Sequence, residues 1–177
     1  SLNQLALLKW KRQEFNQITG IPINRFKQNV KDKEYEFVQF VTLTHSSFTE
    51  LHKIFYKKRR KIVPENIHRL LKAPISLAVW IMDDGAKDNL GLTIQTHSFK
   101  TKEVERLISV LKKNFNLIAT PRKNKGKFII YFPKSQINNL WKIVKTYILP
   151  EYRYKFPEPV ETIRRAPLEG DDIVRTL

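Results

Sequence analysis

The chain has 177 residues, 41% of them hydrophobic, so it can build one domain or two small ones around a real core. Its net charge of +16 and pI of about 10.1 imply a polyanionic partner, either nucleic acid or an anionic membrane surface. No run of 18 apolar residues occurs, which argues against membrane insertion, and the absence of cysteine excludes disulfides and thiolate metal sites.

In chain order, Leu2 to Asn16 reads as an amphipathic helix with Leu5, Leu8, Trp10 and Phe15 among its apolar positions, ended by Gly20 and Pro22. Tyr35 to Thr44 alternates and is rich in β-formers, predicting a strand. Ser46 or Ser47 is the expected cap of a helix over Thr49 to Tyr56. The basic run KKRRK, Lys57 to Lys61, follows, and a short helix is expected from Pro64 through Leu71. Pro74 opens the next helix as a good first-turn residue and Gly85 closes it. Beyond it come a strand over Leu90 to Thr96 and a helix over Thr101 to Phe115. A strand pair, Ile118 to Arg122 and Lys127 to Phe132, is joined by KNKGK, and a helix covers Ser135 to Tyr147. The histidines His45, His52, His68 and His97 lack zinc-finger spacing and read as strand-end and helix-surface residues.

The two halves echo each other. Thr42 to Phe55 (TLTHSSFTELHKIF) matches Thr93 to Leu107 (TIQTHSFKTKEVERL), and Lys61-Ile-Val-Pro64 matches Tyr147-Ile-Leu-Pro150. Two related α/β units are expected, one over residues 1–72 and one over 73–160, followed by a tail over 161–177.

The most informative stretch is Leu77 to Gly85, LAVWIMDDG. A helix apolar almost all round belongs in a core, yet this one ends in two acids. Acids are disfavoured at a helix C-terminus by the dipole and, near a core, require a cation, so a functional reason is expected for Asp84. This stretch resembles the second signature helix of the LAGLIDADG homing endonucleases. THSSF, the segment Lys61-Ile-Val-Pro64, T-H-S-F and Y-K-F-P in the same order extend the resemblance over about Val38 to Pro157.

The resemblance implies an α/β (α+β) fold of mixed αββαββα units, each with a curved antiparallel sheet that lies in the DNA major groove. It implies a metal-dependent phosphodiester cleavage with Mg²⁺ as cofactor, Asp84 and Gly85 at the metal position, and Lys61 and Lys155 as active-site lysines. Asp83, one step round the helix, reads as structural. A two-stranded ribbon fits the major groove, and polar side chains on its outer face read base edges. Thr93, Gln95, Arg122, Lys123, Lys125 and Lys127 are the candidates for this face, with Arg59 and Arg60 as phosphate contacts.

Monomeric members carry two signature helices; only one is found in this chain, and its first-half helix and strand pair are missing. The second acid is therefore expected from another polypeptide, against which Leu77, Val79 or Trp80 would pack. Alternatively the chain is a fragment of a full enzyme, or a non-catalytic RNA-binding derivative such as a group I intron maturase or a ribosome-associated protein. A basic membrane-surface role is disfavoured because no basic amphipathic helix with a strong apolar face stands out. The Lys-, Asn-, Ile- and Phe-rich composition suits an AT-rich genome, which with the family resemblance suggests an organelle, a mitochondrion rather than a chloroplast. The tail Ile163 to Leu177, with Asp171 and Asp172, reads as an extended docking or disordered segment without a metal.

Overall fold

A computed structural model describes residues 4–20 and 22–157; the tail, with Asp171 and Asp172, lies outside the described residues. Helix α1 (Leu5–Glu14) is followed by the hairpin β1 (Asn24–Val30) and β2 (Lys33–Gln39), then α2 (Ser46–Phe55). A minimal hairpin, β3 (Tyr56–Lys57) with β4 (Arg60–Lys61), and α3 (Ile67–Leu70) lead into α4 (Pro74–Asp84). The hairpin β5 (Gly85–Asp88) and β6 (Gly91–Ile94), α5 (Thr101–Phe115), the hairpin β7 (Thr120–Asn124) and β8 (Lys127–Phe132), and α6 (Lys134–Val144) complete the order. A 3-10 turn, Pro150–Lys155, follows.

Turn chemistry explains the hairpins. Lys31 and Asp32, Lys58 and Arg59, and Lys125 and Gly126 each place both central residues at positive φ, the mirror-image turn whose twist matches that of the strands. Only Gly126 is free of the steric cost, and it alone is visible as a turn signal in the sequence. β1 and β5 carry no apolar alternation and exist as pairing partners, β1 with β2 and β5 with β6. The strand expected over Tyr35 to Thr44 stops at Gln39, leaving Thr42 in an isolated bridge to Thr19. The cap of α2 is His45, not a serine: its Nδ1 accepts the Ser47 N–H at 3.2 Å.

The four-stranded antiparallel sheet has the order β5-β6-β8-β7. Leu92, Ile94, Ile130 and Phe132 on one face, α4 through Leu77, Ala78, Ile81 and Met82, α5 through Val104 and Leu111, and α6 through Leu140 and Val144 form one core. The first half has no comparable core: among the described residues, Leu7 is the sole buried hydrophobic before Val63.

The order helix, hairpin, helix (α1, β1-β2, α2) repeats as α5, β7-β8, α6. This aligns α2 with α6 and agrees with the echo of Lys61–Pro64 in Tyr147–Pro150. The echo of Thr42–Phe55 in Thr93–Leu107 instead pairs α2 with α5.

Candidate functional site

Helix α4 runs through the core and delivers its acids where it meets β5. Gly85 is required at that join: a Cβ there would lie 2.4 Å from the Ile81 carbonyl oxygen and 2.9 Å from Ile81 Cγ2. The last carbonyls of a helix need partners from outside it. Lys155 provides them. Its Nζ, on a side chain 7% exposed, donates to the carbonyls of Met82 (2.6 Å), Ile81 (3.3 Å) and Asp83 (3.3 Å). Burial pushes the Lys155 ammonium pKa down, opposed by Asp83 and Asp84. The lysine thus compensates the dipole of a helix that ends in acids.

The two acids have different surroundings. Asp83 is held by Lys11 of α1, with Nζ 2.6 Å from Oδ2 and 2.8 Å from Oδ1. Asp84 stands exposed at the rim of a cleft of about 310 Å³, lined also by Lys61, Phe99, Val79, Trp80 and Phe55. Partial desolvation by the cleft walls raises the Asp84 carboxyl pKa, and Asp83 adds to this; Lys61, Lys155 and Lys11 pull it down. Lys61 Nζ sits 5.9 Å from the centroid of the Phe99 ring, and Asp83 also lines this cleft, so the chain brings both acids and one exposed cation to it. Gln95 lies beside them, its N–H donating to the Asp84 carbonyl at 3.0 Å.

Among the described residues, no group of three or more His, Cys, Asp or Glu side chains is arranged to hold a metal. With Asp83 engaged by Lys11, Asp84 offers one free carboxylate. That fits one side of the oxygen-ligand set a hard divalent cation requires, and not the whole of it.

Several expected contacts are redistributed. Thr93 is buried in the central strand, with Oγ1 donating to the Ala86 carbonyl at 3.3 Å, and is withdrawn from the reading face. Arg60 is paired to Glu103, with Nη1 to Oε2 at 3.2 Å and Nη2 to Oε1 at 3.4 Å. Arg122 pairs with Asp88 and lies 5.1 Å over the Tyr131 ring. That ring crosses β6 at Gly91, where a Cβ would come within 2.6 Å of it. Lys123, Lys125, Lys127 and Arg59 project as exposed residues from hairpins. Leu77 is 0% exposed inside this chain's own core and cannot face a partner, whereas Val79 and Trp80 remain half-exposed on the cleft wall. Residue-by-residue reading missed Lys11, which carries no signal beyond its place on a predicted helix. It also missed Glu103, signalled by its position three residues after Lys100 at the start of α5.

The sequence profile of the LAGLIDADG DNA endonuclease family matches residues 1–140. The chain belongs to that family. It is 33% identical over 139 residues to a cytochrome b mRNA maturase, bI2, of Debaryomyces hansenii, covering 77% of this chain and 53% of that one. It is 37% identical over 143 residues to the intron-encoded endonuclease ai4 of Dictyostelium discoideum, covering 79% of this chain and 89% of that one. The homing endonuclease I-WcaI, solved bound to its DNA recognition sequence, superposes with a TM-score of 0.81 at 30% identity, over 86% of this chain and 71% of that one. The chain spans about half the length of the Debaryomyces relative.

Proposed function

We propose that this chain supplies one side of a metal-dependent nuclease centre that makes a double-strand cut in DNA at an intron-insertion site. A second acid comes from another polypeptide. The observation that carries this reading is the asymmetry of the acid pair: Asp83 is neutralised by Lys11, while Asp84 is left facing a cleft that also holds Lys61. Asp84, with the backbone at Gly85, would hold the cation. Mg²⁺, when bound, neutralises charge on the scissile phosphate and acidifies a bound water. Lys61 is placed to neutralise phosphate charge from the cleft wall. Lys155 acts as a positioning residue, because its three donors are spent on the α4 carbonyls and fix where Asp84 points. The outer face of the sheet, with Gln95, Arg122, Lys123, Lys125 and Lys127, and the turn residue Arg59 supply contacts to DNA.

The bare surface of the first half supports a completing polypeptide. In α6 the apolar face formed by Ile137, Leu140, Trp141 and Val144 is buried against the core, but α2 buries none of its residues and leaves Leu51 47% exposed. Strand β8 pairs with both β6 and β7, whereas among the described residues β2 pairs with β1 alone. A helix followed by a hairpin, like α4 with β5 and β6, fits both vacancies, and its helix would carry the second acid.

One observation favours a second reading, an RNA-binding splicing factor without cleavage: the identity to a protein named a cytochrome b mRNA maturase. That name also supports a mitochondrial location. The deciding experiment selects bound duplexes from a random DNA pool, then assays Mg²⁺-dependent cutting of the selected site by the native complex and by its Asp84→Asn variant. Cutting lost in the variant supports the nuclease; binding of intron RNA with no cutting by either supports the maturase.

A further inference from the structure

The basic run Lys57 to Lys61 divides its work in the fold. Lys61 enters the Asp84 cleft, and Arg60 is taken by Glu103. Glu103, 8% exposed, also accepts the N–H of Val63 at 3.2 Å and of Lys100 at 2.7 Å. One helical turn further along α5, Arg106 donates to the Val63 carbonyl at 2.7 Å. These bonds hold residues 60–63 against the start of α5, and between the two elements lies a second groove of about 440 Å³.

The groove is lined by five cations, Lys57, Arg60, Lys100, Lys102 and Arg106, against two acids, Glu65 and Glu103. Arg60 and Glu103 cancel each other, and Arg106 is engaged with a backbone carbonyl. Lys57, Lys100 and Lys102 are exposed and make no ion pair among the described residues, facing only Glu65 as a net acid. The groove shares Ile62 and Val63 with the Asp84 cleft, so the same short segment walls both. A strand whose phosphate reaches Asp84 and Lys61 has this groove as its neighbour.

We propose that Lys57, Lys100 and Lys102 form a phosphodiester-backbone site beside the acid cleft, outside the sheet faces. The proposal rests on the nucleic-acid-binding reading. Lysines act on phosphate as point charges and carry no base readout, so the contribution is the same for every sequence and vanishes at high salt.

The test is fluorescence anisotropy of the whole chain, over a salt series, with a mixed-sequence DNA duplex and separately with a structured RNA. Wild type is compared with Lys57→Ala/Lys102→Ala and with a control of equal charge loss on α6, Lys134→Ala/Lys142→Ala. The groove variant is expected to bind about tenfold more weakly at moderate salt, with its log-log salt slope reduced by about two, while the control shifts far less. Glu65→Gln is expected to tighten binding. A loss with DNA alone, RNA alone or both supports the site and identifies the source of the phosphodiester. Equal losses in groove and control variants, or no loss in the groove variant, overturn it while leaving nucleic-acid binding standing. Binding of neither polymer by wild type overturns both.

Discussion

Lys155 reaches three consecutive carbonyls, and this contact, with Lys11 on Asp83, explains how a helix packed in the core can end in two exposed acids. Lys155→Met keeps much of the stem's packing and leaves the carbonyls of Ile81, Met82 and Asp83 unpaired. The expected cost is about 2 kcal/mol, read as a fall in Tm of about 6 °C. Asp84 makes the opposite prediction for stability. Its pKa is raised above the ordinary 3.8, so the folded state favours the proton, and stability is lost as pH rises through the folded-state value. Asp84→Asn removes that penalty. Near neutral pH the variant is expected to melt higher than wild type in a thermal scan, yet to lose at least about a hundredfold in cleavage by the completed enzyme. A variant that melts lower would contradict the account of Asp84 as a charge held against its own preference.

At the scale of elements, α5 acts as an anchor for the segment carrying Lys61. Desolvation pushes the Glu103 carboxyl pKa up, but hydrogen bonds from Lys100 and Val63 and the Arg60 guanidinium outweigh it and hold the value below the ordinary 4.5. The stabilisation from this tie is therefore complete above 4.5 and is lost as pH falls below it through the folded-state value. Glu103→Ala is expected to cost about 2 kcal/mol at pH 7 in urea unfolding, a difference from wild type that shrinks on acidification below pH 4.5. Helices α2 and α6 hold matching places but unequal surroundings. Leu140→Ala is expected to cost about 3 kcal/mol, whereas Leu51→Glu is expected to stay within about 0.5 kcal/mol in the isolated chain and to weaken association with a completing polypeptide. α5 could be read from sequence because its apolar spacing records one buried face, and β8 because it is an unbroken apolar run with Ile129 and Ile130 both buried. β1, β5 and the β3-β4 hairpin could not. Their residues are polar, their pairing is set by a neighbouring strand, and two of the turns use Lys, Asp or Arg where glycine would have signalled them.

For the whole molecule, the contrast is between a complete second half and a first half that keeps its helix, hairpin and helix without a core of its own. The sequence placed Asp84, Lys61 and the central helix together through the run LAVWIMDDG and its ordered companions. It could not tell which cations were already spent. Arg60, Arg122 and Lys155 look like surface charges in a string of letters, and only the fold shows Glu103, Asp88 and the α4 carbonyls holding them. It likewise could not show that Leu77 is consumed inside the chain while Leu51 of α2 is left exposed. Mg²⁺-dependent cleavage of the selected DNA site should be compared for three samples: the purified chain alone, the native complex, and the complex carrying Asp84→Asn. A centre completed by a second acid gives binding without cutting by the chain alone, cutting by the complex, and loss of cutting in the variant complex. Cutting by the chain alone, or undiminished cutting by the variant complex, would contradict such a centre.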